Sequence, residues 1–205
     1  MANPIDEEAT SVVASIPPGP RLAVMGSTSF WRPDSRHLCE MIARDLALID
    51  RLMVLTGGMD GVGIAFGKSF TAARTQASLP ENLFHLLPRG LGPCDCGVTL
   101  GAGIDFHERR EILGRVGNVC LVIEGGPGTE HEVAVASFRQ IPVIPLGQTG
   151  GHAGDMYSQL ARPKWAADAD WALLGDANAS HGEVVLGVRR LVHAAISIDA
   201  EQRSA

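Results

Sequence analysis

Six short apolar runs punctuate the chain, at residues 21–26, 51–56, 82–88, 97–100, 119–123 and 142–146. They are rich in Val, Ile and Leu, and several are bounded by glycine, as expected of strands buried on both faces of a parallel sheet. Between several of them the apolar period lengthens. Leu38, Met41, Ile42, Leu46 and Ile49 recur about every 3.6 residues, which predicts a helix over residues 34–50 with one buried face. Further helices are expected over residues 61–73, 106–116 and 128–139. Ser180-x-x-Glu183 reads as a capping box that opens a last helix, with Val184, Leu186, Leu191, Val192 and Ala195 available for packing. This alternation predicts an α/β fold: a doubly wound, mostly parallel sheet with helices on both faces.

In such a sheet ligands sit outside the carboxyl ends of the strands, so the loops that follow the strands are where function is to be sought. Three of them are rich in small residues: Gly26-Ser27-Thr28-Ser29, Thr56-Gly57-Gly58-Met59-Asp60-Gly61-Val62-Gly63, and Gly125-Gly126-Pro127-Gly128-Thr129. None has the G-x-G-x-x-G spacing of a dinucleotide fold, which disfavours an ordinary nicotinamide oxidoreductase. In the third loop Gly125, Gly126 and Gly128 let the backbone turn and let a ligand approach. The following helix directs free N–H groups and its positive end into the same space. An anion, most plausibly a phosphate, fits there. Glu132 lies one turn inside that helix, close to the anion, where a carboxylate points to chemistry. Thr129-x-x-Glu132 also matches a capping box, so the pair reads equally as a helix start.

The 205 residues, 45% hydrophobic and 20% charged, suffice for one well-buried core, and we expect a flexible lead-in over residues 1–20 followed by a single domain over 21–205. A net charge of −6 argues against a general nucleic-acid or anionic-membrane surface. Lys68 and Lys164 are the only lysines, and neither lies in the glycine motifs, so a Schiff-base enzyme fits poorly. No signal-type segment or run long enough to span a bilayer is present, and four cysteines form no disulfide framework at this length, which points to a soluble protein of the reducing cytoplasm. Cys94-Asp95-Cys96 is half of a metal motif with no second half, and His107-Glu108-x-x-Glu111 lacks the second His of a helical zinc motif. No metal or other cofactor is required by these patterns.

Before the 119–123 run lies His107-Glu108-Arg109-Arg110, a charged segment that composition alone would place on a solvated helix face. Together with Glu124 to Glu132 it resembles the LONELY GUY (LOG) family of Rossmann-like nucleotide-processing proteins, which pairs H-x-R-K with P-G-G-x-G-T-x-x-E. The family's Arg and Glu fall on Arg109 and Glu132, 23 positions apart. The similarity extends to Gly26-Ser27-Thr28 and, loosely, to the Thr56–Gly63 turn, and covers roughly residues 21–147. Glu124 stands where the motif has Pro, Pro127 in its variable position, Arg110 for Lys and Thr56 for the first Gly.

The resemblance implies a phosphoribohydrolase that cleaves the N-glycosidic bond of a nucleoside 5′-monophosphate, of the cytokinin riboside or AMP type, to free base and ribose 5-phosphate. Arg109 and Glu132 would be its catalytic residues. Gly26, Ser27, Thr28, Gly57, Gly58, Arg110, Gly125, Gly126, Gly128 and Thr129 would bind substrate and phosphate. Glu132 would stabilise the oxocarbenium-like ribose and orient water, with Arg109 keeping it ionised. Glu108, Asp105, Glu130 and His131 are all open as the acid for the departing base. The resemblance also implies a homodimer or higher homo-oligomer. The rival reading is a non-catalytic protein that holds a nucleotide, an ADP-ribose-like molecule or a molybdopterin-type cofactor. Glu124 leans toward it, since a carboxylate at the loop entrance could repel a monophosphate or read a ribose hydroxyl. In a third reading, Arg109 and Glu132 are only an ion pair between neighbouring helices.

Overall fold

The computed structural model describes residues 3–204, with side chains described through residue 198. The six apolar runs become β1 (Arg21–Gly26), β2 (Met53–Thr56), β3 (Leu83–Leu87), β4 (Val98–Gly101), β5 (Val119–Ile123) and β6 (Val143–Leu146). They form one sheet in the order β4-β3-β2-β1-β5-β6, with every neighbouring pair parallel. The helices are α1 (Pro4–Ala14), α2 (Pro33–Leu46), α3 (Val62–Gln76), α4 (Phe106–Val116), α5 (Pro127–Phe138), α6 (Gly151–Gln159), α7 (Asp168–Leu173) and α8 (His181–Ser204). This is the doubly wound, Rossmann-like α/β architecture that the alternation predicts.

Because successive strand residues point to opposite faces, each strand serves two cores. Leu22 and Val24 of β1 join Val119, Leu121 and Ile123 of β5 beneath α2, α3 and α8. Ala23 and Met25 join Cys120 and Val122 beneath α1, α4 and α5. Both faces of the central strands are dry, which is why they read as unbroken apolar runs. Only the edge strand β4 is partly exposed. Arg74, 1% exposed, reaches from α3 to the carbonyls of Ala47, Ile49 and Pro80, and so ties down the turn that follows α2.

Residues 1–20, expected as a flexible lead-in, instead carry α1. Asn3 caps its first turn by accepting the Ile5 N–H at 3.0 Å, and Pro4 begins the helix with φ already set. Ala9 and Val12 are buried in the second core, while Asp6 pairs with Arg115 and Arg139 and Glu8 with Arg89. The short α6 and α7 were not anticipated, because neither repeats its apolar period often enough to register. The first is held by Ala153 in the core, and the second by Trp171, which packs on Tyr157 and Trp165 at ring-centroid distances of 5.9 and 6.4 Å. At Ser180 the anticipated capping box forms, with Ser180 N–H donating to Glu183 at 2.9 Å and Glu183 N–H to the Ser180 hydroxyl at 3.3 Å. Among the described residues no helix is long and apolar enough to cross a membrane.

The chain leaves β1 toward β2 on one side and later returns to β5 on the other. The carboxyl ends of β1 and β5 therefore diverge and open a crevice between their loops. The α2 packing yields a direct check. Leu46→Ala, at a fully buried position, is expected to cost about 2–5 kcal/mol in urea denaturation. Leu48→Ala, at a position 53% exposed, should change stability by no more than about 0.5 kcal/mol.

Candidate functional site

The crevice is built from the strand ends upward. At Gly26 an added Cβ would lie 2.3 Å from the Ile123 carbonyl oxygen and 2.7 Å from Val62, so only glycine lets the β1 loop pass between β5 and α3. The Val62 N–H then donates to the Ser27 carbonyl at 2.9 Å and fixes the loop against the start of α3. Across the crevice Glu124 adopts a left-handed φ of 54°, an uncommon conformation for a residue with a Cβ. Its carboxylate is fully buried, accepting the Ser27 hydroxyl at 2.6 Å and the Trp31 N–H at 3.2 Å. The Glu124 N–H donates to Thr149 Oγ1 at 2.9 Å, and its carbonyl accepts the Ala153 N–H at 3.0 Å. Glu124 thus ties the β1 loop, the β5 loop and α6 together. Its carboxylate is engaged by Ser27 and Trp31 behind the crevice and is not part of the crevice lining.

Beyond Gly125, with φ of 102°, the chain enters α5 with Gly126 as N-cap and no side chain capping its first turn. The helix begins at Pro127, so Thr129 and Glu132 lie inside it and form no capping box. The N–H groups of Gly128 and Thr129 have no carbonyl four residues back to bond to, and both residues line the crevice. Thr129 and Glu132 are instead buried side by side on the helix face that meets α4.

On α4, Asp105 accepts the Glu108 N–H at 2.9 Å and sets the helix start that carries Arg109 inward. Arg109 and Glu132 are each 5% exposed and make a direct hydrogen-bonded ion pair. Arg109 Nε is buried with no partner among the described residues, and its guanidinium carbon sits 5.8 Å from the Phe106 ring centroid. Gly57 makes room for this pair, since a Cβ there would fall 2.6 Å from Arg109 Nη1. Burial pushes the Glu132 carboxyl above its ordinary range, while Arg109, Arg110 and His131 pull it back down without cancelling that rise. Arg109 lowers the proton affinity of Glu132, but burial is the larger effect and the net shift is upward.

The cavity above the pair measures about 260 Å³. Gly26, Ser27, Thr28, Gly57, Arg109, Arg110, Gly126, Gly128, Thr129 and Glu132 all line it. Gly58 and Gly125 do not. The Cβ direction of Gly58 faces Cys94, Leu87 and His85, and that of Gly125 faces Thr129, so both shape the loops from behind. Beneath Gly58 the Thr56 hydroxyl accepts the Gly58 N–H at 3.0 Å and lies 2.7 Å from Nδ1 of the buried His85. Burial lowers the His85 pKa, which keeps the ring neutral and lets Nδ1 accept from Thr56. The reading of the sequence missed Met59 and Asp60, which also line the cavity. Asp60 sits in the loop after β2, and its position among loop residues gave the only signal for it.

A family model described as SLOG cluster4 matches residues 20–169. No curated protein matches the chain. Among solved structures, the TM1055 protein is 26% identical, with a TM-score of 0.61 over 70% of this chain and 83% of that one. The molybdenum cofactor binding protein from Rippkaea orientalis is 19% identical, with a TM-score of 0.60 over 86% of this chain and 99% of the other. The molybdenum cofactor carrier protein from Chlamydomonas reinhardtii is 21% identical, with a TM-score of 0.60 over 85% of this chain and 99% of the other. At these identities the two cofactor proteins share the fold with this chain.

A double-mutant cycle tests the buried bracket. Ser27→Ala and Glu124→Gln are each expected to destabilise the fold by about 1–3 kcal/mol. Urea denaturation of the pair should return a coupling of about 0.5–3 kcal/mol, whereas additivity would show that the two side chains do not act together.

Proposed function

We propose that this chain, which belongs to the SLOG cluster4 family, binds a nucleoside 5′-monophosphate in the β1–β5 crevice and hydrolyses its N-glycosidic bond. The observation that carries this reading is a buried carboxylate, Glu132, at the floor of a cleft that also presents the amides of a helix N-terminus. A 5′-phosphate seated on the Gly128 and Thr129 amides, with Arg110 beside them, would place the sugar over Glu132. Arg110 approaches this turn closely, its Nε 3.1 Å from where a Cβ on Gly128 would be. The cavity of about 260 Å³ lies just below the roughly 300–1,000 Å³ of common ligand sites and favours a compact phosphosugar over an extended dinucleotide.

In this reading the departing base leaves ribose with oxocarbenium character, and ionised Glu132 stabilises that charge and orients the attacking water. Arg109 positions Glu132 and lowers its proton affinity against the effect of burial. Asp60, the other carboxylate on the lining, is placed to accept from ribose hydroxyls. No added metal or cofactor enters the scheme, and the partner is a small molecule.

A second reading, a carrier that holds a nucleotide or a molybdopterin-type cofactor without cleaving it, is favoured by one feature. Glu132 already has Arg109 as its partner and is almost inaccessible, as a purely structural pair would be. The two molybdenum cofactor proteins of the same fold make that ligand class the one to try first.

Incubation with adenosine monophosphate and an N6-substituted analogue, followed by chromatography for free base, separates the readings. Release of base that falls about 10²–10⁴-fold in Glu132→Gln, with the melting temperature retained, is the outcome expected of the hydrolase. Absence of release, with a nucleotide or pterin retained through purification, would establish the carrier instead.

The pH dependence follows from the raised Glu132 pKa. The folded protein binds this proton more tightly than the unfolded chain does, so the group's contribution to stability falls as pH climbs from the unfolded value through the folded one. Catalysis needs the ionised form, so the acid limb of kcat/KM should lie above the ordinary carboxyl range. Arg109→Gln should move that limb further up, and a limb that moved down would contradict the assignment.

A further inference from the structure

His107 and Glu111 stand one helical turn apart on α4 and project from the same face. His131 meets them from α5. Its Nε2 lies 2.5 Å from Glu111 Oε1, and its ring centroid is 4.8 Å from that of His107. One donor atom from each of the three falls within 4.8 Å of the others. His107 is exposed while Glu111 and His131 are half-buried, so the group is closed on the protein side and open to solvent on the other.

The carboxylate of this group is held from behind. Arg115, one turn beyond Glu111, holds the second carboxylate oxygen, Oε2, at 2.5 Å and is itself anchored to Asp6 of α1 at 3.0 Å. This leaves Oε1 facing His131, the orienting role that outer partners play around metal-bound carboxylates. Two imidazoles and one carboxylate with an open side form a donor set suited to zinc, with water completing the tetrahedron. A bound ion would replace the Glu111–His131 hydrogen bond by a coordinate bond from each.

We propose that His107, Glu111 and His131 form a zinc site that fastens α4 to α5. The proposal is independent of what occupies the crevice, although the same two helices carry Arg109 and Glu132. Its signal was split in the sequence. His107 and Glu111 supply two of the three ligands of a helical motif, and the missing His comes from the next helix, 20 positions on from Glu111.

The full chain, stripped with EDTA and dialysed, is to be titrated with zinc chloride by calorimetry, and its melting temperature followed with and without the ion. The expected result is one equivalent bound and a raised melting temperature. His107→Gln and His131→Gln should each weaken binding roughly tenfold or more. The double variant Cys94→Ser/Cys96→Ser should bind as the unchanged chain does. No binding by the unchanged chain, binding that survives His107→Gln together with His131→Gln, or binding lost with the cysteines would each overturn the site. His107 is exposed, so His107→Gln alone decides the matter if His131→Gln disturbs the fold.

Discussion

The fold turns on a carboxylate placed where it cannot reach solvent. Glu124 closes the gap between the two strands at which the sheet changes direction, and among the described residues no cation pairs with it. A buried carboxylate needs hydrogen-bond donors, and here a hydroxyl and a backbone N–H from the β1 loop reach its two oxygens. Its own backbone closes the other side, bonded to Thr149 and Ala153. The crevice therefore has walls of defined separation before any ligand arrives. The amides of α5 and the Gly26 passage border that span, and the Arg109–Glu132 pair lies beneath it.

The floor is itself a balance of opposed effects. Bringing Arg109 and Glu132 out of water is costly, and their mutual attraction offsets that cost only with close geometry. Gly57 supplies the geometry by omission, and Phe106 covers the guanidinium. The unmatched Arg109 Nε and the lifted Glu132 proton affinity are what remains of the cost. Both leave the pair with hydrogen-bonding and proton-binding capacity that its own ion pair does not use up.

Much of this was legible because the sheet is parallel and doubly covered. Buried strands such as β5 read as plain apolar runs, and α2 and α4 carried a regular period or a charged signature. The three glycine loops stood out in the residues themselves, whereas the pairing of Arg109 with Glu132 was implied by the family resemblance. What escaped depends on contacts between distant segments. The α1 helix is seated by Ala9 and Val12 in a core built from distant strands and helices, and its ion pairs with α4 and the end of α5 join residues more than a hundred positions apart. The inward turn of Glu124 rests on a left-handed backbone and on Ser27, 97 positions away. The direction of the Glu132 shift needed its depth of burial, which no local pattern encodes.

The matched family region begins at residue 20 and ends at residue 169, so α1 lies before it and α8 beyond it. These two helices cover opposite faces of the sheet. Val12 is sealed into one core, and Val184, Val188, Leu191 and Val192 into the other. The matched region carries the crevice, while the two dry faces of the sheet beneath it are completed by helices outside that region. In this chain the residues of the cleft and part of what holds the sheet firm therefore belong to different stretches of sequence.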